Sequence, residues 1–169
     1  MKPLPKINMT DNETGCCPRF HPEEWDEEII EFDNLLFAKA HTRNVFHIPL
    51  NMGSVMKKAM DRIEHSNAKV KDNYLLLSRD LSAWKAEHLF LVTKDVKDME
   101  SVRLSGRFAS KVFEGPYKDQ ARWMGEMEYY VTGLEEKGLE SYAFYTTCPE
   151  CAKHYGKNYV VMLTRLEEK

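Results

Sequence analysis

The pattern of apolar and polar positions changes near residue 35. Residues 1–34 show no sustained periodicity and contain several prolines together with Gly15, which predicts an irregular N-terminal arm. From residue 35 onward, short apolar runs typical of strands alternate with stretches whose apolar residues recur at helical spacing. The pattern therefore predicts a single domain over residues 35–169, built from strands and helices.

A self-comparison predicts that this domain contains an internal repeat. When residues 44–60 are placed over residues 111–127, at an offset of 67 positions, several apolar residues and a proline coincide. Each half then has the order strand, helix, strand, strand. We therefore expect an α+β fold with two pseudo-repeated modules, residues 35–98 and 99–169, whose antiparallel sheets form a ligand groove.

One amphipathic helix is predicted in each module. Pro49 and Pro116 suit helix starts, because a proline in the first turn removes no hydrogen bond that the helix would make. The apolar stripes that would face a sheet are Val55, Met56, Ala59, Met60 and Ile63 in the first helix, and Ala121, Met124, Met127, Val131 and Leu134 in the second.

Composition narrows the classes of partner. The chain has 43% hydrophobic residues, 30% charged residues and a net charge of −3. It has no basic block of the kind that binds phosphates, so DNA and RNA are not expected as partners. No apolar run is long enough to cross a bilayer, and the N-terminal residues lack the apolar core of a secretory signal. We therefore expect a cytoplasmic protein without a membrane partner.

Four cysteines form the clearest chemical motif. In a reducing compartment they are expected to be thiols, metal ligands or redox groups rather than a disulfide framework. Cys148 and Cys151 form a Cys-Pro-x-Cys step, but only 18 residues follow Cys151. That is too few to complete a thioredoxin-like fold, so a redox dithiol is not favoured.

A zinc site is the second interpretation of these cysteines. Adjacent side chains tend to diverge and suit one tetrahedral ion poorly, which counts against a pair without spacing. Two histidines, His21 and His154, are spare ligands. The four cysteine ligands would be Cys16, Cys17, Cys148 and Cys151. The leading interpretation of the sequence needs no cofactor, and zinc is the single candidate if one is bound.

A third interpretation makes an arm cysteine a nucleophile. Cys16 or Cys17 would lie over the groove and capture electrophiles, provided that a neighbour such as Lys153 or His154 lowers a thiol pKa. The sequence leaves these interpretations open.

Several motifs carry a resemblance to a known family. The segments "TGCCPRF", "HIPLNMG", "LSGRF", "VFEGPYKD" and "TTCPECAKHYGKNYVV" resemble a bacterial and plant group, labelled hydrolase-like, within the GyrI-like superfamily of small-molecule-binding domains. The resemblance implies an aromatic pocket for small, flat or cationic organic molecules. It also implies that hydrolysis of reactive xenobiotics, such as cyclopropane-containing compounds, is a possible chemistry.

Aromatic residues are candidate pocket walls, because rings combine large rigid surfaces with an attraction for cations. The alternative for each is core packing. His47 aligns with Glu114 in the repeat and is expected at an equivalent corner of the groove. The candidate ligand-binding residues are His47, Trp84, Tyr117, Trp123 and Tyr145.

Glu114 and Glu126 are the candidate catalytic residues. A carboxylate near apolar rings can act as a general acid or orient a water molecule as a base, whereas the alternative is a solvated surface position. The segment "YAFYTT" lacks the acidic residue that family members often place there. The leading hypothesis is a small-molecule-binding protein with hydrolysis of a reactive electrophile as a candidate activity, and the alternative is a non-catalytic zinc protein with a structural or sensing role.

Overall fold

The computed structural model describes residues 1–169 and contains eight strands and three α-helices. Single 3-10 turns lie at Pro22–Glu24 and Tyr117–Asp119. None of the helices is both long and apolar enough to cross a membrane. The strands are β1 (Lys2–Pro3), β2 (Glu28–Val45), β3 (Ile48–Pro49), β4 (Leu76–Ser82), β5 (Lys85–Leu91), β6 (Glu100–Glu114), β7 (Gly138–Tyr145) and β8 (Tyr159–Leu166), and the helices are α1 (Met52–His65), α2 (Gln120–Gly133) and α3 (Pro149–Tyr155).

The strands form one hydrogen-bonded series. Neighbours pair in the order β1-β2-β5-β4-β7-β8-β6, and β2 also pairs with β6. Six strands therefore close into an antiparallel barrel, with 41% of residues in strands and 24% in helices. The predicted α+β fold, with two pseudo-repeated modules whose antiparallel sheets form a ligand groove, is wrong.

The length of β2 explains much of this difference. It begins at Glu28, within the stretch predicted as an irregular arm, and runs for 18 residues to Val45. Ile30 and Phe32 are buried while Glu31 between them is exposed, an alternation typical of a half-buried strand. The acidic composition of this stretch hid the alternation. This strand pairs with β5 of the first predicted module and with β6 of the second. The two predicted modules therefore do not have separate sheets.

The chain divides into two compact units. The terminal unit consists of residues 1–33 and 105–169, and the central unit consists of residues 34–104. The metal-ligand candidates all lie in the terminal unit, so its packing decides whether they meet.

In the terminal unit, α2 supplies the apolar face that covers the strands. Met127 and Val131 from the predicted stripe are buried, together with Trp123, whereas Ala121 and Leu134 are exposed. Fully burying a side chain of this size stabilises the fold by about 1.5–3 kcal/mol. The strand residues of the same core cluster are Ala109, Phe113, Ala143, Val160, Met162 and Leu166.

In the central unit, α1 has the corresponding role. Ala59 and Ile63 of the predicted stripe are buried, but Met60 is 37% exposed. The buried pair belongs to a cluster with Ala38 of β2 and Phe90 of β5, which are directly paired in the strand register.

The N-terminal arm is packed onto the terminal unit by aromatic side chains. Phe20 and Trp25 are buried, and their ring centroids lie 6.2 and 5.5 Å from that of Phe144 on β7. Phe20 also lies 5.8 Å from Tyr159 at the start of β8. This packing holds the preceding segment, with Cys16 and Cys17, beside the end of β7.

Candidate metal centre

The four cysteines come together in the terminal unit. Their Sγ atoms all lie within 4.8 Å of one another, and all four are free thiols. Two belong to the N-terminal arm, one to the end of the β7–α3 connection and one to α3. The expectation that Cys16 and Cys17 would combine with Cys148 and Cys151 therefore has a geometric basis.

The helix α3 places its two cysteines on one side. Cys148 is the residue before the helix, in an extended conformation with φ −70° and ψ 163°, and Pro149 occupies the first turn. Cys151 lies three residues after Cys148, which is nearly one helical turn, so both side chains point the same way. The helix ends at Gly156, whose φ of 78° is left-handed and favours glycine.

A turn at Thr14 brings the adjacent cysteines together. Thr14 Oγ1 accepts hydrogen bonds of 3.2 Å from the backbone N–H groups of both Cys16 and Cys17, and Gly15, which precedes both cysteines, has a left-handed φ of 71°. The Sγ atoms of Cys16 and Cys17 are 3.5 Å apart. The tendency of neighbouring side chains to diverge is overcome here by this tightly bonded turn.

Tyr155 links α3 to the arm. Its hydroxyl donates a 2.7 Å hydrogen bond to the Cys17 carbonyl and accepts one of 3.2 Å from the Glu13 N–H. The Arg19 guanidinium lies 4.6 Å from the centre of the Tyr155 ring and pairs with Glu13 at 2.6 Å. The arm cysteines are therefore held by contacts that do not involve their own sulfur atoms.

The two spare histidines have other partners. His154 Nε2 lies 3.3 Å from the Glu13 carboxylate, and His21 Nε2 lies 2.8 Å from the Asp11 carboxylate. The cluster of potential ligand atoms consists of the four thiols alone.

The thiols have unequal electrostatic environments. Burial raises the pKa of Cys17. In the thiolate form, Cys151 accepts a hydrogen bond from the Thr14 hydroxyl, 3.3 Å away, and this bond lowers the pKa of Cys151 to about 7. Burial also raises the pKa of Tyr117, and negative charge on the nearby Cys148 and Cys17 adds to that effect. Crowded sulfur atoms without a cation therefore resist full ionisation.

The donor set fits a zinc ion. Zinc prefers tetrahedral thiolate sites, and a Zn–S distance of about 2.3 Å implies neighbouring sulfur atoms about 3.8 Å apart. Sulfur atoms within 4.8 Å of one another reach this arrangement through side-chain shifts of less than about 1 Å. The Cys148 N–H also points at Cys17 Sγ over 3.5 Å, which suits a thiolate ligand.

Two of the predicted ligand-binding residues form a ring pair in the terminal unit. The centroids of Tyr117 and Tyr145 are 5.2 Å apart in an edge-to-face arrangement. The Tyr145 hydroxyl donates to Gln120 Oε1 at 2.9 Å. Trp123 is only 1% exposed, and it stacks on Phe113 with centroids 5.7 Å apart.

The other two lie in the central unit. Trp84 is 56% exposed and its ring centroid is 5.2 Å from that of Phe46, which is also exposed. His47 Nδ1 lies 2.6 Å from the Asp80 carboxylate. Phe46 and His47 both have positive φ angles, 46° and 68°, which are unfavourable for residues with side chains.

The two predicted catalytic acids lie at the surface of the terminal unit. Glu114 is exposed at the end of β6, and Glu126 on α2 is exposed and 3.8 Å from Arg122. Their participation in chemistry stays a prediction.

Sequence reasoning did not assign a role to Thr14 or Tyr155, which organise the thiol cluster. A threonine followed by glycine is a turn signal, so the Thr14-Gly15 step ahead of the cysteine pair was a usable indication. Nothing local to Tyr155 indicates its contact with Cys17, which is 138 positions away.

Known proteins resemble this chain mainly in fold. Among curated proteins, none matches the sequence significantly. The fold is similar to an uncharacterized conserved protein from Listeria innocua (12% identity, 83% of this chain and 91% of that one, TM-score 0.60) and to a hydrolase encoded by lin2189 from Listeria innocua (11%, 86% and 94%, TM-score 0.58). It is also similar to SAV2435, solved bound to tetraphenylphosphonium (11%, 83% and 93%, TM-score 0.50).

Sequence identities of 11–12% show a shared fold and do not establish a shared function. A family model described as "Bacterial hydrolase", however, matches residues 7–166, which include all four cysteines and nearly the whole chain. This protein therefore belongs to the bacterial hydrolase family.

Proposed function

We propose that this protein binds one zinc ion through Cys16, Cys17, Cys148 and Cys151. The ion fastens the N-terminal arm to the junction between β7 and α3. The observation that carries the proposal is the approach of all four Sγ atoms to within 4.8 Å. Uncoordinated thiols gain little from such crowding, whereas a divalent cation bound by four thiolates turns their mutual repulsion into attraction.

A stabilising role suits this arrangement. Four protein ligands complete a tetrahedral coordination shell, as they do in structural zinc sites. The ligands come from segments more than a hundred positions apart, as the contact between Cys17 and Cys148 shows. An ion bound there fixes the arm in the folded chain and closes a loop of more than a hundred residues.

Elemental analysis tests the proposal directly. Protein purified under reducing conditions should contain about one zinc ion per chain, and Cys148→Ser or Cys151→Ser should lose most of it. Lys153→Ser is a matched control, because Lys153 is exposed on α3 and supplies no thiol. Wild-type protein that stays free of zinc after incubation with zinc and a reductant would contradict the proposal.

A second function, binding of a small organic molecule, is favoured by the ring pair of the central unit. Phe46 and Trp84 expose adjacent aromatic faces, and Asp80 provides a carboxylate. Aromatic faces and a carboxylate together attract lipophilic cations. This arrangement supports a GyrI-like ligand preference, and the tetraphenylphosphonium bound to SAV2435 is a cation of that type.

A binding experiment tests this second function. Tetraphenylphosphonium and other lipophilic cations should raise the melting temperature of the wild-type protein, and Trp84→Ala should abolish the shift. Tyr129→Ala is the matched control, because Tyr129 is 84% exposed and belongs to α2 in the terminal unit. An unchanged shift in Trp84→Ala would contradict binding at the ring pair.

Hydrolysis needs a group that activates water. Glu114 and Glu126 remain the proposed catalytic residues, and they belong to the terminal unit, as do the paired rings of Tyr117 and Tyr145. Turnover of an electrophilic substrate should fall at least about a hundredfold in the variant that removes the acting acid, either Glu114→Gln or Glu126→Gln. Full activity in both variants would remove these acids from the proposal. Glu128→Gln is the control, since Glu128 is also exposed on α2.

A further inference from the structure

We propose that Cys16 is the reactive thiolate of the metal centre and that it accepts an alkyl group from soft carbon electrophiles. This inference rests on the proposed zinc site. It assigns the arm cysteine a chemical role in addition to its role as a ligand.

Access to solvent distinguishes Cys16 from the other ligands. Cys16 is exposed, whereas Cys17 is 9% exposed and Cys151 is 3% exposed. Cys148 is intermediate and precedes the first turn of α3. An electrophile in solution can therefore approach Cys16 Sγ without a movement of the strands or of α3.

Hydrogen bonding distinguishes Cys16 from Cys17 and Cys151. Cys17 Sγ faces the backbone N–H of Cys148 at 3.5 Å, and Cys151 Sγ contacts the Thr14 hydroxyl at 3.3 Å. Neither a backbone N–H nor a hydroxyl bonds Cys16 Sγ, whose nearest described partner is Cys17 Sγ at 3.5 Å. Hydrogen bonds to an anion stabilise its charge and reduce its reactivity as a nucleophile. Cys16 and Cys148 lack such bonds and keep the more reactive lone pairs, and of these two Cys16 is the more exposed.

The net charge of the metal centre also favours alkylation of an accessible sulfur. Four thiolates around a divalent cation have a net charge of about −2. Alkylation of one sulfur converts an anion into a neutral thioether and reduces this excess to about −1. Relief of repulsion among the remaining thiolates favours transfer of an alkyl group to the accessible sulfur.

The reaction is a single displacement. A lone pair of Cys16 Sγ forms the new S–C bond, and the bond between that carbon and its leaving group breaks. The leaving group departs with the bonding electrons, as a halide does from an alkyl halide. No oxidant, reductant or proton is needed, and one chain accepts one alkyl group. A thioether is a weaker ligand for zinc than a thiolate, so the modified centre holds its ion less tightly.

Peptide mapping in the zinc-loaded wild-type protein tests the inference. One equivalent of iodoacetamide is added at pH 6.5, the protein is then denatured with a chelator, and the remaining thiols are labelled with a second reagent. Cys16 should carry at least about ten times as much acetamide as any other cysteine. An even distribution, or preferential labelling of another cysteine, would overturn the inference.

Two further measurements separate an activated thiolate from one that is merely exposed. Cys16 should react at least about three times faster in the zinc-loaded protein than in the reduced, zinc-free protein at the same pH, because the metal-bound sulfur is already deprotonated. Zinc release, followed with a colorimetric chelator, should accompany the modification. An equal or slower reaction in the zinc-loaded protein would overturn the proposed activation.

The outcomes also separate this inference from the proposed function. A wild-type protein that binds no zinc contradicts the zinc site itself. A protein that binds zinc but is not labelled preferentially at Cys16 keeps the zinc site and loses only the reactive role. Cys17→Ser removes an adjacent, less exposed thiol and is the matched comparison for Cys16→Ser. Because the wild-type map alone decides the site of modification, the test does not depend on either variant keeping its metal.

Discussion

The two units of the molecule differ in how their clustered polar side chains are stabilised. In the central unit, His88 is 2% exposed, and its two ring nitrogens are bonded to Ser78 Oγ at 2.7 Å and Thr42 Oγ1 at 3.0 Å. In the terminal unit, the Sγ atoms of four thiols lie within 4.8 Å of one another. The first group is satisfied by its own hydrogen bonds and can remain neutral, whereas the second is the proposed zinc site, where a cation would balance the charge of four thiolates.

The two groups also differ in how far apart their residues lie in the sequence. Ser78 and His88 are directly opposite each other on the antiparallel strands β4 and β5, so a short hairpin assembles them. Cys17 and Cys148 are 131 positions apart, and their meeting depends on the packed arm. We therefore expect the thiol cluster to depend on zinc and the His88 group to depend on pH.

Removal of zinc should have the largest effect on stability. At free zinc about a thousandfold above Kd, a bound ion adds about 4 kcal/mol to the free energy of unfolding. Urea unfolding of wild-type protein, measured by circular dichroism with and without a chelator, should show this difference. Cys151→Ser should be insensitive to the chelator. An identical wild-type curve under both conditions would show that the two polar groups do not differ in this respect.

Acid should destabilise the His88 group by a slightly smaller amount. Burial lowers the pKa of His88 to about 4 in the folded protein, against 6.5 for the ordinary side chain. As pH falls below 6.5, the unfolded chain binds a proton that the folded chain does not, so stability is lost down to about pH 4. The full loss is about 3 kcal/mol.

The comparison that isolates this effect is the difference between wild type and His88→Gln across the same pH range. That difference should shrink as the pH approaches 4, because the variant has no proton to exclude at this position. His47→Gln is the control at an exposed histidine. A constant difference between wild type and His88→Gln from pH 7 to pH 4 would contradict the neutral state of His88.

Loss of the Thr14 hydroxyl should weaken the metal centre moderately. Thr14→Val removes the acceptor for the N–H groups of Cys16 and Cys17 and the hydrogen bond to Cys151. Zinc affinity, measured by competition with a chelator, should fall about tenfold. Thr10→Val, which loses only the exposed contact with Asn8, should leave affinity unchanged. Equal affinities for wild type and Thr14→Val would show that this turn does not position the ligands.

The smallest expected effect concerns the tie between α3 and the arm. Tyr155→Phe removes the hydroxyl that donates to the Cys17 carbonyl at 2.7 Å while keeping the ring. Thermal or urea unfolding should show a loss of about 1 kcal/mol. Tyr129→Phe should change stability by less than about 0.5 kcal/mol, since Tyr129 is 84% exposed. A loss no larger than that of the control would assign the tie to other contacts.

Local pattern accounted for part of the core and part of the candidate site. The spacing of Met127 and Val131 predicted the buried face of α2, and the spacing of Ala59 and Ile63 predicted that of α1. The zinc interpretation included the four thiols that meet in the structure. The same reasoning missed the start of β2, because exposed acids alternate there with the buried Ile30 and Phe32.

The sequence by itself determined which residues can pack on a helix and which can bind a metal, because those properties depend on side-chain chemistry and on spacing within a few residues. It placed Cys148 and Cys151 three positions apart and supplied Thr14 and Gly15 for the turn before the other pair. Only the tertiary structure decided that the strands close into a barrel and that the two cysteine pairs meet. Both outcomes depend on contacts between distant segments, whose hydrogen bonds and packing must outweigh the entropy of closing long loops.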